Sequence, residues 1–196
     1  MVYIVRHGQT HLNKSCRLQG RSDHPLNEQG IAQAETVAEW FRKQGISFCR
    51  VYSSPLARAV ETARIISGSD DIKTDDRLIE MDYGPYEGYD FKEKKPEVTE
   101  FFKDFVHNPA PEGMEQLSQV TARLGSFLED LRSEDPSGDV LISTHAIAMK
   151  GALEYLTPDS HGSYWSKYIG NCAVYHTELI GGEYTVSSET DTSDHA

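Results

Sequence analysis

Positive charge is scarce in this chain. Lys and Arg number 19 against 31 Asp and Glu among 196 residues, a formal net charge of −12. A surface that acidic carries no basic face for nucleic acid or anionic lipid, so neither is expected as a partner. It still leaves room for one small basic pocket. Cysteine is scarcer. Cys16, Cys49 and Cys172 are odd in number and widely spaced, which suits free thiols in a reducing compartment rather than a disulfide framework. No apolar run approaches the roughly 20 residues that span a bilayer. The first apolar stretch, Val2 to Val5, meets Arg6 and His7 at once and does not read as a secretory leader. The expected location is the cytoplasm.

Several catalytic signatures are also missing. No cysteine is followed at the sixth position by arginine, no phosphate-cradling P-loop is present, and no serine nucleophile elbow occurs. Of the eight histidines only His7 and His11 stand close together, at the end of a strand and beside Gly8, where a shared helical face is not expected. No metal site is predicted.

What is present is enough apolar material for one domain: 38% hydrophobic and 10% aromatic residues in 22.0 kDa. Val2 to Val5 reads as a buried strand. Asn27 caps a predicted helix over 28–43, with Ile31, Ala34, Ala38 and Phe41 at helical spacing. Arg50 to Ser53 is a second strand. Ser54 and Pro55 read as N-cap and first residue of a helix ending at Gly68. Ile72 to Thr74 is a short strand, and 91–107 a charged surface helix interrupted at Pro96. A helix over 115–132, a strand at Val140 to Ile142 and a helix over 146–156 follow. Late strands span 173–179 and 183–186 around Gly181 and Gly182, and Ser187 to Ala196 reads as a frayed polar tail. The alternation predicts an α/β three-layer sandwich, a mostly parallel central sheet with helices on both faces, with residues 1–186 forming one domain.

Ligands of open α/β sheets bind beyond the carboxyl ends of strands, where Arg6, His7 and His145 are predicted to lie. Arg58 falls in the first turn of the helix after Ser54, where amides and the helix dipole favour an anion. Gly8 reads as a point of close backbone approach to a ligand. Two histidines and two arginines thus converge on an anion pocket in an acidic protein. Arginine supplies permanently charged planar donors to a phosphate. A neutral imidazole can attack phosphorus if its other nitrogen is held as N–H. The leaving alkoxide needs an acid, and Glu80 is the best candidate, because a bound dianion favours its protonated form.

These residues resemble the histidine phosphatase superfamily, the phosphoglycerate mutase-like family, over roughly residues 2–180. The resemblance rests on Arg6-His7-Gly8-x-Thr10 with Asn13, then Arg17-Leu18-Gln19-Gly20, Asp23, Pro25 and Leu26. It continues through Tyr52-Ser53-Ser54-Pro55-Leu56-x-Arg58-Ala59-x-x-Thr62-Ala63, Glu80 with Gly84 and Glu87-Gly88, and Thr144-His145 with Asn171. It implies His7 as phosphorylated nucleophile, Glu80 as proton donor, and Arg6, Arg58 and His145 as the clamp on phosphoryl oxygens. Asn13, Gln19 and Gly20 would line the pocket, although Asn13 and Gln19 also suit turn stabilisation. Tyr83 either packs the loop or touches substrate. Ala146 replaces the family's usual glycine, which bears on the pocket if the backbone N–H there binds phosphate. His11, His24, His107, His161, His176 and His195 read as surface or packing residues.

Three activities stay open: a phosphomonoesterase on a small phosphorylated substrate, a mutase, and a catalytically silent phospholigand-binding protein. The family implies no metal and no cofactor for the first. The second would need 2,3-bisphosphoglycerate as primer. The family's mutases carry Arg-His where Met81-Asp82 stand, a long basic insertion after that loop, and usually Asn at the position of Ile147. The phosphatase is therefore favoured. A silent relative should lack one of the five catalytic residues. The segment 86–114 is expected to form a lid over the leaving group, and a homodimer is left open beside a monomer.

Overall fold

The first strand, β1 (Val2–Arg6), shows why helices cover both sheet faces. Its side chains alternate between two apolar clusters, Val2 and Ile4 entering one and Tyr3 and Val5 the other. The computed structural model describes residues 1–180 and 183–190. After β1 come a one-turn helix α1 (His11–Lys14), α2 (Glu28–Lys43), β2 (Phe48–Ser53), α3 (Ala57–Ser67) and β3 (Lys73–Thr74). There follow α4 (Pro96–Lys103), α5 (Leu117–Glu134), β4 (Asp139–Thr144), α6 (Ala146–Leu156), a one-turn α7 (Ser163–Ser166) and the pair β5 (Val174–Ile180) and β6 (Glu183–Thr190).

The strands form one sheet in the order β3-β2-β4-β1-β5-β6. The first four run parallel, and β5 and β6 are antiparallel additions at one edge. Val37 and Phe41 of α2 and Ala63 and Ile66 of α3 cover one face, while Leu124 and Leu128 of α5 and Met149 and Leu153 of α6 cover the other. This is the expected three-layer α/β sandwich. As predicted, Asn27 caps α2, its side chain accepting from Gly30 N at 2.8 Å.

Three local expectations change. The third helix starts at Ala57 rather than Pro55, with Leu56 at the cap position, while the Ser54 hydroxyl accepts from Leu56 N at 3.3 Å and contacts His145. Its N-terminal anion is internal: Asp23 Oδ1 accepts from Ala57 N at 2.8 Å. Residues 187–190, expected in the tail, pair with β5 as the end of β6, since backbone hydrogen bonds along a sheet edge tolerate a polar Ser/Thr sequence. The rest of that tail, 191–196, and Gly181-Gly182 lie outside the described residues. Between 91 and 107 a single turn (Phe91–Glu93) precedes α4, and Val98 and Phe101 are fully buried. The helix begins at Pro96 instead of being interrupted there, and its charged residues are exposed as expected. One face is anchored in the core, where the phenylalanines stack, Phe101 on Phe105 at 4.8 Å and Phe91 on Phe102 at 5.2 Å.

Candidate active site

The parallel strands β1, β4 and β2 end level with one another. Register places Arg6 opposite Thr144, and Ser53 opposite Ser143. The next residue on each strand continues the ladder, His7 N donating to Thr144 O at 2.9 Å and Ser54 N to Ser143 O at 3.0 Å. His7, His145 and Ser54 are therefore brought together by pairing alone. The two imidazole centroids stand 5.1 Å apart, and His145 Nε2 lies 2.8 Å from Ser54 Oγ. Arg58 enters from the first turn of α3. Its Nε lies 3.3 Å from His7 Nε2, while its Nη1 and Nη2 donate to Ser22 O at 2.8 Å and Gly20 O at 2.6 Å.

Burial and the neighbouring guanidinium groups decide the charge states. Burial first, then Arg58 and Arg6, holds His7 well below the usual imidazole value, and His145 is held down by burial and Arg58. Both rings are neutral at pH 7. His7 Nδ1 lies 2.7 Å from Gly8 O, an acceptor only, which assigns the proton to Nδ1 and the lone pair to Nε2. Burial brings Arg58 down to about 10 and also lowers Arg6, with Glu80 opposing both shifts. Three buried nitrogens, Arg6 Nε, Gln19 Nε2 and His145 Nδ1, have no hydrogen-bond partner among the described residues.

Glu80 sits at the start of α6. Its Oε1 accepts from Met81 N at 2.8 Å and Ala148 N at 3.0 Å, and its Oε2 from Ile147 N at 3.2 Å. The segment carrying it is clamped from α5. Arg123 Nη1 donates to Arg77 O at 2.7 Å and Ile79 O at 2.6 Å. Arg123 also pairs with Glu115, whose Oε2 accepts from Asp82 N at 3.0 Å. Backbone on both sides of Glu80 is thus held by one ion pair.

These elements surround a cleft of about 480 Å³, lined by Arg6, His7, Asn13, Gln19, Glu80, Tyr83 and Ala146 among the expected residues. Arg58 and His145, both fully buried, lie outside the cavity lining and reach it through His7, Arg58 by its Nε and His145 by its ring. Asn13 Oδ1 accepts from Thr10 N, so it also stabilises the turn, and Gln19 Oε1 accepts from the Thr10 hydroxyl, leaving its amide nitrogen free. Tyr83 does both things open to it, lining the cleft and packing at 5.9 Å from Phe102. Gly20 does not line the cleft. Its N–H is taken by Glu87 and its carbonyl by Arg58, so it holds the loop instead. Gly8 approaches no ligand site: a Cβ there would lie 2.4 Å from Gly30 O, so the glycine serves the contact between β1 and α2.

The other end of the cleft takes Phe91 and the residues from Phe102 to Phe105 from the segment expected to cover the leaving group, whereas sequence reading missed the stretch between Trp165 and Ile169 and Lys150 of α6. Lys103, Lys150 and Lys167 supply cations where the missing basic insertion had suggested few. Only the four-residue spacing of Lys150 from Ala146 on a helix pointed there. Asn171, noted in sequence for its place before the last strands, donates to His7 O at 3.0 Å.

A basic cleft at parallel strand ends, with a neutral histidine and a carboxylate on its wall, fits histidine-based phosphoryl transfer. The histidine phosphatase superfamily (branch 1) matches residues 2–192, and the chain belongs to that family. It is 30% identical over 190 residues to a Hydrogenobacter thermophilus protein provisionally named phosphoserine phosphatase 2, covering 94% of this chain and 92% of that one. It is 35% identical over 161 residues to a Yersinia pestis protein named probable phosphoglycerate mutase GpmB, covering 79% and 74%. Among solved structures it resembles a phosphoserine phosphatase mutant from Entamoeba histolytica in complex with phosphoserine, with a TM-score of 0.84, 25% identity and coverage of 98% and 97%. Among the described residues no helix is long and apolar enough to cross a membrane.

Proposed function

We propose that the chain hydrolyses a small phosphoric monoester by way of a phosphohistidine at His7. The observation that carries this reading is the fixed tautomer: Gly8 O takes the Nδ1 proton and leaves the Nε2 lone pair at the cleft. That lone pair attacks phosphorus, the ester P–O bond breaks, and the alkoxide takes a proton from Glu80. Arg6, Arg58 and His145, whose Nδ1 has no partner among the described residues, hold the phosphoryl oxygens as charge moves, Arg58 exchanging its long contact with His7 for an oxygen. Water then gives a proton to Glu80 and its oxygen to phosphorus, the N–P bond breaks, and phosphate departs with His7 neutral again. Asn13 and the Gln19 amide extend the pocket for the phosphoryl group, with Tyr83 and Ala146 on its wall.

The pathway uses no metal and no cofactor. Small substrates are supported by the relatives' names and by the Entamoeba histolytica complexes with phosphoserine and with 3-phosphoglyceric acid. The net charge of −12 supports neither a nucleic-acid nor a membrane partner, and three unpaired cysteines support a cytoplasmic location. A homodimer stands as the alternative to a monomer, to be read from light scattering.

The second reading is a mutase primed by 2,3-bisphosphoglycerate, which the identity to proteins named phosphoglycerate mutase favours. Against it, Met81 is fully buried, Asp82 is paired with Arg21, and Ile147 puts an apolar side chain on the cleft. Phosphate release from a panel of monoesters, with chelator and without primer, separates the readings. Release by wild type that vanishes in His7→Ala is expected. No release without primer, and isomerisation once 2,3-bisphosphoglycerate is added, would overturn the phosphatase in favour of the mutase.

A further inference from the structure

Lys150 is buried in the cleft and has no task in the chemistry above. It lies one helical turn beyond Ala146 on α6, so the two share a face, and both line the cavity. The side chain is 7% exposed. Its Nζ donates to Trp165 O at 2.8 Å and stands 4.8 Å from the Phe105 ring centroid. Among the described residues it has no carboxylate partner within ion-pair distance. A buried ammonium without a counter-ion is costly, and an anion entering the cleft would remove that cost. Burial already pushes this amine down to about 8, against the opposing field of Glu80.

The kind of anion follows from the donor. The guanidinium groups best suited to a phosphoryl group, Arg6 and Arg58, stand at the other end of the site. Arg17, Lys103 and Lys167 also line the cleft but are exposed, so among the described residues the one buried cation at this end is Lys150. A single buried ammonium, with one hydrogen taken by a carbonyl and an aromatic face beside it, suits an oxyanion of one charge. We propose that Lys150 binds a carboxylate on the leaving alcohol, so that the preferred substrates are phosphoric monoesters of hydroxy acids. This rests on the phosphatase reading and names the substrate class for the same cleft.

The test compares kcat/KM for two carboxylate esters, 3-phosphoglycerate and O-phosphoserine, with that for glycerol 3-phosphate and fructose 1,6-bisphosphate. Wild type is expected to prefer the carboxylate esters at least tenfold. Lys150→Met should reduce that preference by roughly tenfold to a hundredfold, the range for a charge-assisted hydrogen bond, mainly through KM. Lys150→Arg, which keeps the charge, should restore most of it. Turnover of all the esters without the preference would overturn the role of Lys150 and leave the phosphatase standing, and this result needs no variant to fold. An equal loss on every ester in Lys150→Met would also overturn it, as would a preference passing to the bisphosphate. Turnover of none of them would overturn the phosphatase and this proposal together.

Discussion

Replacing Arg123 with methionine keeps most of the apolar stem of the side chain and removes its charge, and the structure says where the loss falls. Arg123 donates to the carbonyls of Arg77 and Ile79 and pairs with Glu115, and the two partners are only 16% and 10% exposed. Breaking a mostly buried pair from one side costs about 3–5 kcal/mol. That is survivable in a domain of about 5–15 kcal/mol. The clamp holds the backbone on both sides of Glu80, so its loss should cut proton delivery more than phosphoryl binding. A positioned acid is worth about 10²–10⁴ in rate. Partial misplacement should therefore lower kcat by roughly tenfold to a hundredfold for an alkyl ester. An aryl ester such as p-nitrophenyl phosphate releases a stable anion and needs little help from an acid. The assay is kcat on both esters, with urea unfolding to confirm a folded variant. An equal fall on both, or no fall on either, would refute the route through Glu80.

Gly8→Ala should destabilise the fold, because its Cβ would meet Gly30 O at 2.4 Å in backbone that has nowhere to move. About 1–3 kcal/mol is expected from urea unfolding, as for other overpacked sites. The buried neutral rings of His7 and His145 set a pH dependence. Unfolded chains protonate these groups below 6.5 while the folded protein does not. Stability should be complete above 6.5 and fall as pH drops below it, by about 1.4 kcal/mol per ring per pH unit. A thermal-unfolding series in which His145→Gln declines as steeply as wild type would show that His145 contributes nothing to that slope.

The sheet was legible because burial on both sides leaves a simple mark: β1 and β4 read as continuous apolar runs ending at His7 and His145. Helix α6 was bounded to the residue, Ala146 to Leu156, because its apolar stretch follows a strand directly. The phosphoryl end of the cleft was legible for the same reason, since its residues sit at strand ends. The leaving-group end was legible only as a covering segment, 86–114, and not in its geometry. Phe91, Phe102 and Phe105 are interleaved with Lys and Asp in the sequence, and the aromatic stacking that buries them is tertiary. Lys150 looks like a polar break in an apolar helix, and only the carbonyl of Trp165, distant in sequence, shows that it points inward. Gly8 misled because a glycine beside a histidine suits a ligand as well as a helix.

His7, His145 and Ser54 meet because three strands stop at the same height, and that gives the ladder itself a chemical duty. Slipping β4 by one residue against β1 would carry His145 to the opposite face of the sheet. The reacting group therefore tolerates no insertion in these strands. The far wall hangs from the loop and short helix at 91–105 and the stretch at 165–169, outside the sheet, and its exposed positions can change without disturbing the strand register. Exchanging those two segments between relatives should move the choice of alcohol while the attack on phosphorus stays as it was, making substrate range and reactivity separately inheritable traits.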